Sequence, residues 1–126
     1  MVVLEDLKYS KDHLWIKKET ELVRIGITDF AQKELGELLY VDLPEKDSII
    51  IKSNSFATVE SAKTVTDVIA PFTGKIIEVN NQLTDHPETV NIDPFEKGWL
   101  IIVKVDNLAE IDSLLTYNEY LLGISS

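Results

Sequence analysis

The sequence predicts a mainly β fold, a sandwich or barrel of seven or eight short strands. Three observations predict it. Short apolar, β-branched runs recur through the chain, and turn residues separate them at brief intervals. Helical patterning is confined to one short internal stretch and to the tail. Many short strands punctuated by turns are the signature of sandwiches and barrels. At 126 residues the chain suits one domain over 1–126. Such a chain buries about two-thirds of its unfolded surface and needs no disulfide or metal staple.

The elements follow in order. Lys11-Asp12-His13-Leu14-Trp15-Ile16 leads into a first strand, and Glu19-Thr20-Glu21 turns it. Leu22 to Ile27 returns, with Val23, Ile25 and Ile27 alternating against Arg24 and Gly26. Thr28 to Gly36 reads as a compact helix. Thr28 or Asp29 caps it, Asp29 and Gln32 have capping-box spacing, and Gly36 suits its end. Glu37 to Leu43 is a strand closed by Pro44; Ser48 to Lys52 is another short run. Two strands, Phe56 to Val59 and Val65 to Ile69, flank Glu60-Ser61-Ala62-Lys63-Thr64 as a hairpin with one lysine at its tip. Lys75 to Asn80 is a strand after the Ala70-Pro71-Phe72-Thr73-Gly74 turn. Residues 81–95 are polar and long for a connection, which points to short helical turns or a functional surface. Gly98 to Val105 is the most apolar strand and is expected at the centre of a sheet. The tail, about 107–123, is helical, with capping-box spacing at Asn107/Glu110 and Thr116/Glu119 and a helix end at Gly123.

Composition narrows the function. Twelve basic and 22 acidic residues leave a net charge of −10. That disfavours nucleic acid and anionic membrane surfaces, both of which need positive charge. No window is apolar for long enough to span a bilayer. The amino end has no basic region, long apolar run or cleavage site, so neither a signal peptide nor an arginine-rich transit peptide is expected. With no cysteine, thiolate chemistry and thiolate metal sites are excluded. His13 and His86 lie far apart and neither has metal-ligand spacing. Ser61 has no glycine elbow around it, and the five glycines never cluster into a phosphate-cradling loop. Trp15 and Trp99 are expected in the core. A carrier survives this elimination, because it needs only a presented attachment point while its cofactor supplies the chemistry.

The motifs around that point resemble a known family. Glu60-Ser61-Ala62-Lys63, then Asp67, then Ala70-Pro71-Phe72-Thr73-Gly74-Lys75-Ile76-Ile77-Glu78-Val79-Asn80 resemble the lipoyl-attachment region of glycine cleavage system H proteins. Lys11-Asp12-His13-x-Trp15 is similar to the family's K-x-H-E-W. Gly26-Ile27-Thr28-Asp29-x-Ala31-Gln32-x-x-Leu35-Gly36 is similar to its G-I-T-x-x-A-Q-x-x-L-G. Tyr40-Val41-x-Leu43-Pro44, Pro87-x-x-Val90-Asn91, Asp93-Pro94 and Gly98-Trp99-Leu100 also fit, so the resemblance runs over nearly the whole chain.

The resemblance implies a lipoyl/biotinyl-domain-like barrel-sandwich hybrid with a short internal helix and C-terminal helices. The lipoyl hairpin would occupy about 56–70. It implies lipoic acid in amide linkage to Lys63, with Glu60, Ser61 and Asp67 read around the turn and Asp12 and His13 in a cleft for the loaded arm. It implies a non-catalytic carrier in glycine catabolism and one-carbon metabolism. Its partners would be glycine decarboxylase, a pyridoxal-phosphate enzyme; a folate-dependent aminomethyltransferase; dihydrolipoyl dehydrogenase; and a lipoate-attaching enzyme. A monomer is expected, in the bacterial cytosol or, for a mature eukaryotic form, the mitochondrial matrix.

Departures from the family pattern are specific. Leu14 stands where the family carries an acid, and a leucine cannot pair with an ammonium; Asp12 lies nearby. Asp47 and Asn54 stand where glycines are usual, and both residue types tolerate left-handed backbone. Ala62 replaces a usual valine. A biotin carrier is disfavoured, because such domains place methionine on both sides of the lysine and Ala62 and Thr64 stand here. A store or donor of lipoyl groups for other proteins is the alternative function.

Overall fold

The computed structural model describes residues 2–125. Two antiparallel sheets enclose the core. The larger has six strands in the order β1 (Lys8–Tyr9), β2 (Leu14–Glu19), β3 (Leu22–Ile27), β9 (Ile101–Val105), β8 (Gly74–Val79) and β5 (Ile49–Ile50). The smaller has three, in the order β4 (Leu38–Asp42), β6 (Ser55–Ser61) and β7 (Val65–Ile69). Side chains alternate across a strand, so each sheet sends one set inward. Ile16, Ile25 and Ile76 from the large sheet meet Val41, Val59 and Val68 from the small one in a shared apolar core.

The large sheet is buried on its second face too. Trp15, between Leu14 and Ile16, points the opposite way and packs in a separate cluster with Leu7, Tyr9 and Tyr120. Tyr9 and Tyr120 stack at 4.8 Å between ring centroids. This pins the carboxyl-terminal helix α5 (Tyr117–Ile124) over the amino-terminal strand, and paired backbone bonds between Tyr9 and Leu115 secure the same junction. That double burial explains why β2 reads as a continuous apolar run, Leu14-Trp15-Ile16, instead of an alternating one.

The internal helix, α1 (Asp29–Leu35), forms as its caps dictate. The Thr28 hydroxyl accepts a bond from the Ala31 amide at 3.2 Å. Asp29 and Gln32 do meet, but side chain to side chain: the Gln32 amide donates to the Asp29 carboxylate at 2.8 Å. Lys33, and then Gln32, hold the Asp29 carboxyl below its ordinary range. At the tail the Thr116–Glu119 capping box is complete. Asn107–Glu110 does not form one. Asn107 accepts from Ala109 instead, because α4 (Ala109–Asp112) has Leu108 at its cap position, which leaves Asn107 one residue too early to cap it. Gly123 lies inside α5 and does not end it.

Further expectations are corrected by long-range pairing. The first strand is β1, not the run from Lys11; His13 takes a left-handed φ of 68° in the turn between β1 and β2. Ser48 to Lys52 contributes only Ile49–Ile50. The short helical turns expected in 81–95 do form, as α2 (Gln82–Asp85) and α3 (Thr89–Ile92), and they bury Leu83 and Val90 completely. β9 is central as expected, between β3 and β8, but it starts at Ile101. Asn80 draws the preceding stretch aside by donating to the Lys97 and Trp99 carbonyls. Trp99 is therefore off the strand and only part-buried, with the Arg24 guanidinium 4.8 Å above its ring. Of the two turns that depart from the glycine pattern, Asp47 is left-handed (φ 72°), and at the second it is Ser53 (φ 73°), not Asn54. Among the described residues no helix is long and apolar enough to cross a membrane.

Candidate functional site

The β6–β7 hairpin carries Lys63 at its exposed tip. Glu60 and Val65 are the last cross-strand pair, so Ser61-Ala62-Lys63-Thr64 make the turn. Ser61 organises it from within. It is 5 % exposed, its amide donates to the Thr64 carbonyl at 2.9 Å, and its hydroxyl accepts from the Lys63 amide at 3.3 Å. The Lys63 backbone is thus held while its side chain remains accessible. Glu60 sits half-buried on the strand just before the turn. Asp67 is exposed on β7, opposite Thr58, and accepts from the Ser55 hydroxyl at 3.2 Å.

The Lys63 stem does not project straight out. It lies over Gly36, at the carboxyl end of α1: a Cβ added there would stand 3.0 Å from Lys63 Cε and 3.8 Å from Nζ. A helix carboxyl end favours a cation, so the free ammonium has an electrostatic reason to rest there. Gly36 serves twice. Its φ of 82° with ψ of −168° is a glycine conformation, and its missing side chain leaves the lysine its path.

Asn91, which residue-type reasoning missed as a site residue, builds the floor under this contact. Its amide nitrogen donates to Gln32 Oε1 at 2.9 Å and to the Gly36 carbonyl at 2.8 Å. Its oxygen accepts from the Leu38 amide at 2.9 Å. One side chain therefore joins α3, the end of α1 and the start of β4. Removing it strands one part-buried donor, the Leu38 amide, and two acceptors, Gln32 Oε1 and the Gly36 carbonyl. Asn91→Ala is expected to cost about 2–3 kcal/mol in urea denaturation; a cost under about 0.5 kcal/mol would show that water replaces it freely.

Asp12 and His13 are adjacent in sequence but line different cavities. Asp12 borders one of about 240 Å³, with Lys52, Ser53, Ala70 and Pro71 at the base of the hairpin. His13 borders another of about 380 Å³, with Phe30, Tyr120 and Ile124. His13 Nδ1 is 2.9 Å from the Tyr120 hydroxyl, which is also 2.7 Å from Thr28 Oγ1. Burial pushes the Tyr120 phenol above its ordinary range, so it remains neutral in this junction. Leu14 is 2 % exposed and belongs to the inter-sheet core. His86 is on the surface beside Glu88.

The family profile described as Glycine cleavage H-protein matches residues 7–125. The chain belongs to the glycine cleavage H-protein family. It is 49 % identical over 116 residues to the glycine cleavage system H protein of Geobacillus kaustophilus, covering 92 % of this chain and 91 % of that one. It is 48 % identical over 120 residues to that of Staphylococcus carnosus, covering 95 % of each. The crystal structure of a glycine cleavage system H protein from Mycobacterium marinum superposes with a TM-score of 0.90 at 38 % identity, covering 98 % of this chain and all of that one. The mainly β, lipoyl-domain-like barrel-sandwich fold expected from the motifs is the fold observed.

Proposed function

We propose that the chain acts as one unit that carries a lipoyl group in amide linkage on Lys63 for the glycine cleavage system. The observation that carries this reading is the exposed Lys63 on an ordered turn in a member of this family. The surroundings fit a covalent arm: Ala62 and Thr64 are small, and Gly36 presents no side chain to its stem. Lipoate bound there supplies a redox-active disulfide able to carry an aminomethyl fragment. The residues of this chain present, orient and shield it. The Ser61 hydroxyl fixes the backbone from which the arm leaves. Amide formation removes the Lys63 charge, and with it the attraction to the end of α1, so the arm gains freedom once made. Glu60 and Asp67 flank the hairpin as features for the attaching enzyme to read. An arm laid back along the hairpin heads for its base, where Asp12 borders a cavity; His13 borders the neighbouring one.

In this reading the chain is not itself an enzyme. It moves the aminomethyl group from glycine decarboxylase to the folate-dependent aminomethyltransferase, and electrons to dihydrolipoyl dehydrogenase. A bacterial cytoplasmic setting accords with the bacterial relatives. Buried Leu14 favours a second reading, a store or donor of lipoyl groups, since that position offers no carboxylate to a loaded amine. Reconstituted glycine–bicarbonate exchange with glycine decarboxylase separates the two. Exchange supported by the lipoylated chain is expected; full lipoylation without exchange would turn the assignment to storage.

A further inference from the structure

We propose that the outer face of the β4–β6–β7 sheet, centred on Tyr40 and Val65, is where the lipoate-attaching enzyme docks while it acylates Lys63. The inference rests on the attachment reading above. Register sets the geometry: Tyr40 faces Glu60, and Glu60 faces Val65. Directly opposed residues share a face, so these three form one row across all three strands. The neighbouring row contains Val41 and Val59, which are buried in the core; the Tyr40 row is therefore the outward one.

An exposed face of an antiparallel sheet ordinarily carries polar residues. Here Tyr40 is 67 % and Val65 64 % exposed. They sit on the two edge strands, roughly 10 Å apart, with Glu60 between them. A bulge between Leu38 and Tyr40 produces this arrangement. Without the register shift, strict alternation from buried Leu38 would turn Tyr40 inward and Val41 outward. Bulges re-aim side chains, and this one turns an aromatic ring into water on the row that precedes the Lys63 turn. Tyrosine is favoured in contact surfaces because it offers a large rigid area at low entropy cost.

Position selects the occupant. The Tyr40 row ends at the last pair before the turn, and the reacting atom, Lys63 Nζ, is only a lysine stem from the backbone. An enzyme closing around Nζ must cover the adjoining surface. An enzyme acting on the far end of the finished arm works a whole lipoyl chain farther out and need not touch it. The next row on the same outward face, Asp42–Thr58–Asp67, puts an acid on each edge strand. The fitting partner surface therefore has an apolar seat for Tyr40 and Val65 and a basic rim, and the net charge of −10 steers it in. On that surface, neutral Nζ attacks the carbonyl carbon of a lipoyl adenylate. The C–N bond forms, the bond from that carbon to the phosphate oxygen breaks, AMP leaves with the electron pair, and one Nζ proton passes to solvent.

The test uses a lipoate–protein ligase, lipoate and ATP, with initial rates read by intact mass against chain concentration. Tyr40→Ser/Val65→Ser is expected to raise the apparent KM about tenfold with kcat little changed, which is about 1.4 kcal/mol of docking. Ile49→Ser, exposed on β5 of the other sheet, is expected to match the unsubstituted chain. Hydrogen exchange on the unsubstituted chain gives a second readout independent of the variants' folding: added ligase should protect β4 and β7 amides. An unchanged KM in the double variant, an equal rise in Ile49→Ser, or no added protection overturns the docking face. So does a concentration-dependent dimer, seen by sedimentation, that the double variant abolishes, because the face would then belong to a second copy. Failure of the unsubstituted chain to gain any adduct at Lys63 instead overturns the attachment reading itself.

Discussion

Lys63→Arg is expected to abolish lipoylation completely while leaving the fold intact. The substitution is conservative in every structural respect. Arginine keeps a long stem to lie over Gly36 and a cation to rest at the carboxyl end of α1. What it lacks is a nucleophile: the guanidinium does not lose its proton in proteins, so it has no free electron pair for an acyl carbon. Intact mass spectrometry after expression in a lipoate-competent host should show one lipoyl adduct on the unsubstituted chain and none on the variant, at equal melting temperature. Other lysines, such as Lys52 and Lys104, remain in the variant. An adduct on Lys63→Arg would therefore move the attachment point elsewhere and sink the assignment.

The largest stability effect is expected at Gly26. It pairs directly with Trp15 across β2 and β3, and the indole lies against it. A Cβ at Gly26 would overlap Trp15 Cζ2 and stand 2.5 Å from Cε2, closer than non-bonded carbon atoms approach. The ring has nowhere to go. Trp15 is fully buried, and its Nε1 donates to the Pro94 carbonyl at 2.9 Å. Gly26→Ala must displace the indole, break that bond, or part the strands. Overpacking costs typically about 1–3 kcal/mol, and an unsatisfied buried donor adds about as much again. A loss of about 3 kcal/mol, on the order of 10 °C in melting temperature, should appear in thermal denaturation. In a Trp15→Phe background the smaller ring should lessen the penalty, a coupling that a double-mutant cycle reads. A Gly26→Ala cost under about 0.5 kcal/mol in the unsubstituted background would refute the close packing.

These residues show what kind of information was readable before the fold. α1 was legible from its caps, because Thr28 and Gly36 act on backbone within one turn of themselves. The Thr116–Glu119 box was legible for the same reason. Lys63 was legible as a hairpin tip, since its turn closes through Ser61 and Thr64 alone. The two-residue strand β1 was not, because its bonds go to β2 and to Leu115, over a hundred positions away. Nor was the anchoring of 81–95, where Leu83 and Val90 are lone apolar residues in polar surroundings and only the facing core reveals that they are buried.

By itself, then, the sequence determined the class of fold, the internal helix, the hairpin and the lysine it presents, all of them properties of backbone preference and bonding within a few residues. The tertiary structure alone decided what surrounds that lysine. Gly36 meets it from the end of α1, Asn91 of α3 holds Gly36 by its carbonyl, and the β4 bulge turns Tyr40 outward into line with Glu60 and Val65. The physical reason is register. Which residues face each other across two strands, and on which side they emerge, is set when distant segments pair, and one inserted residue reverses it.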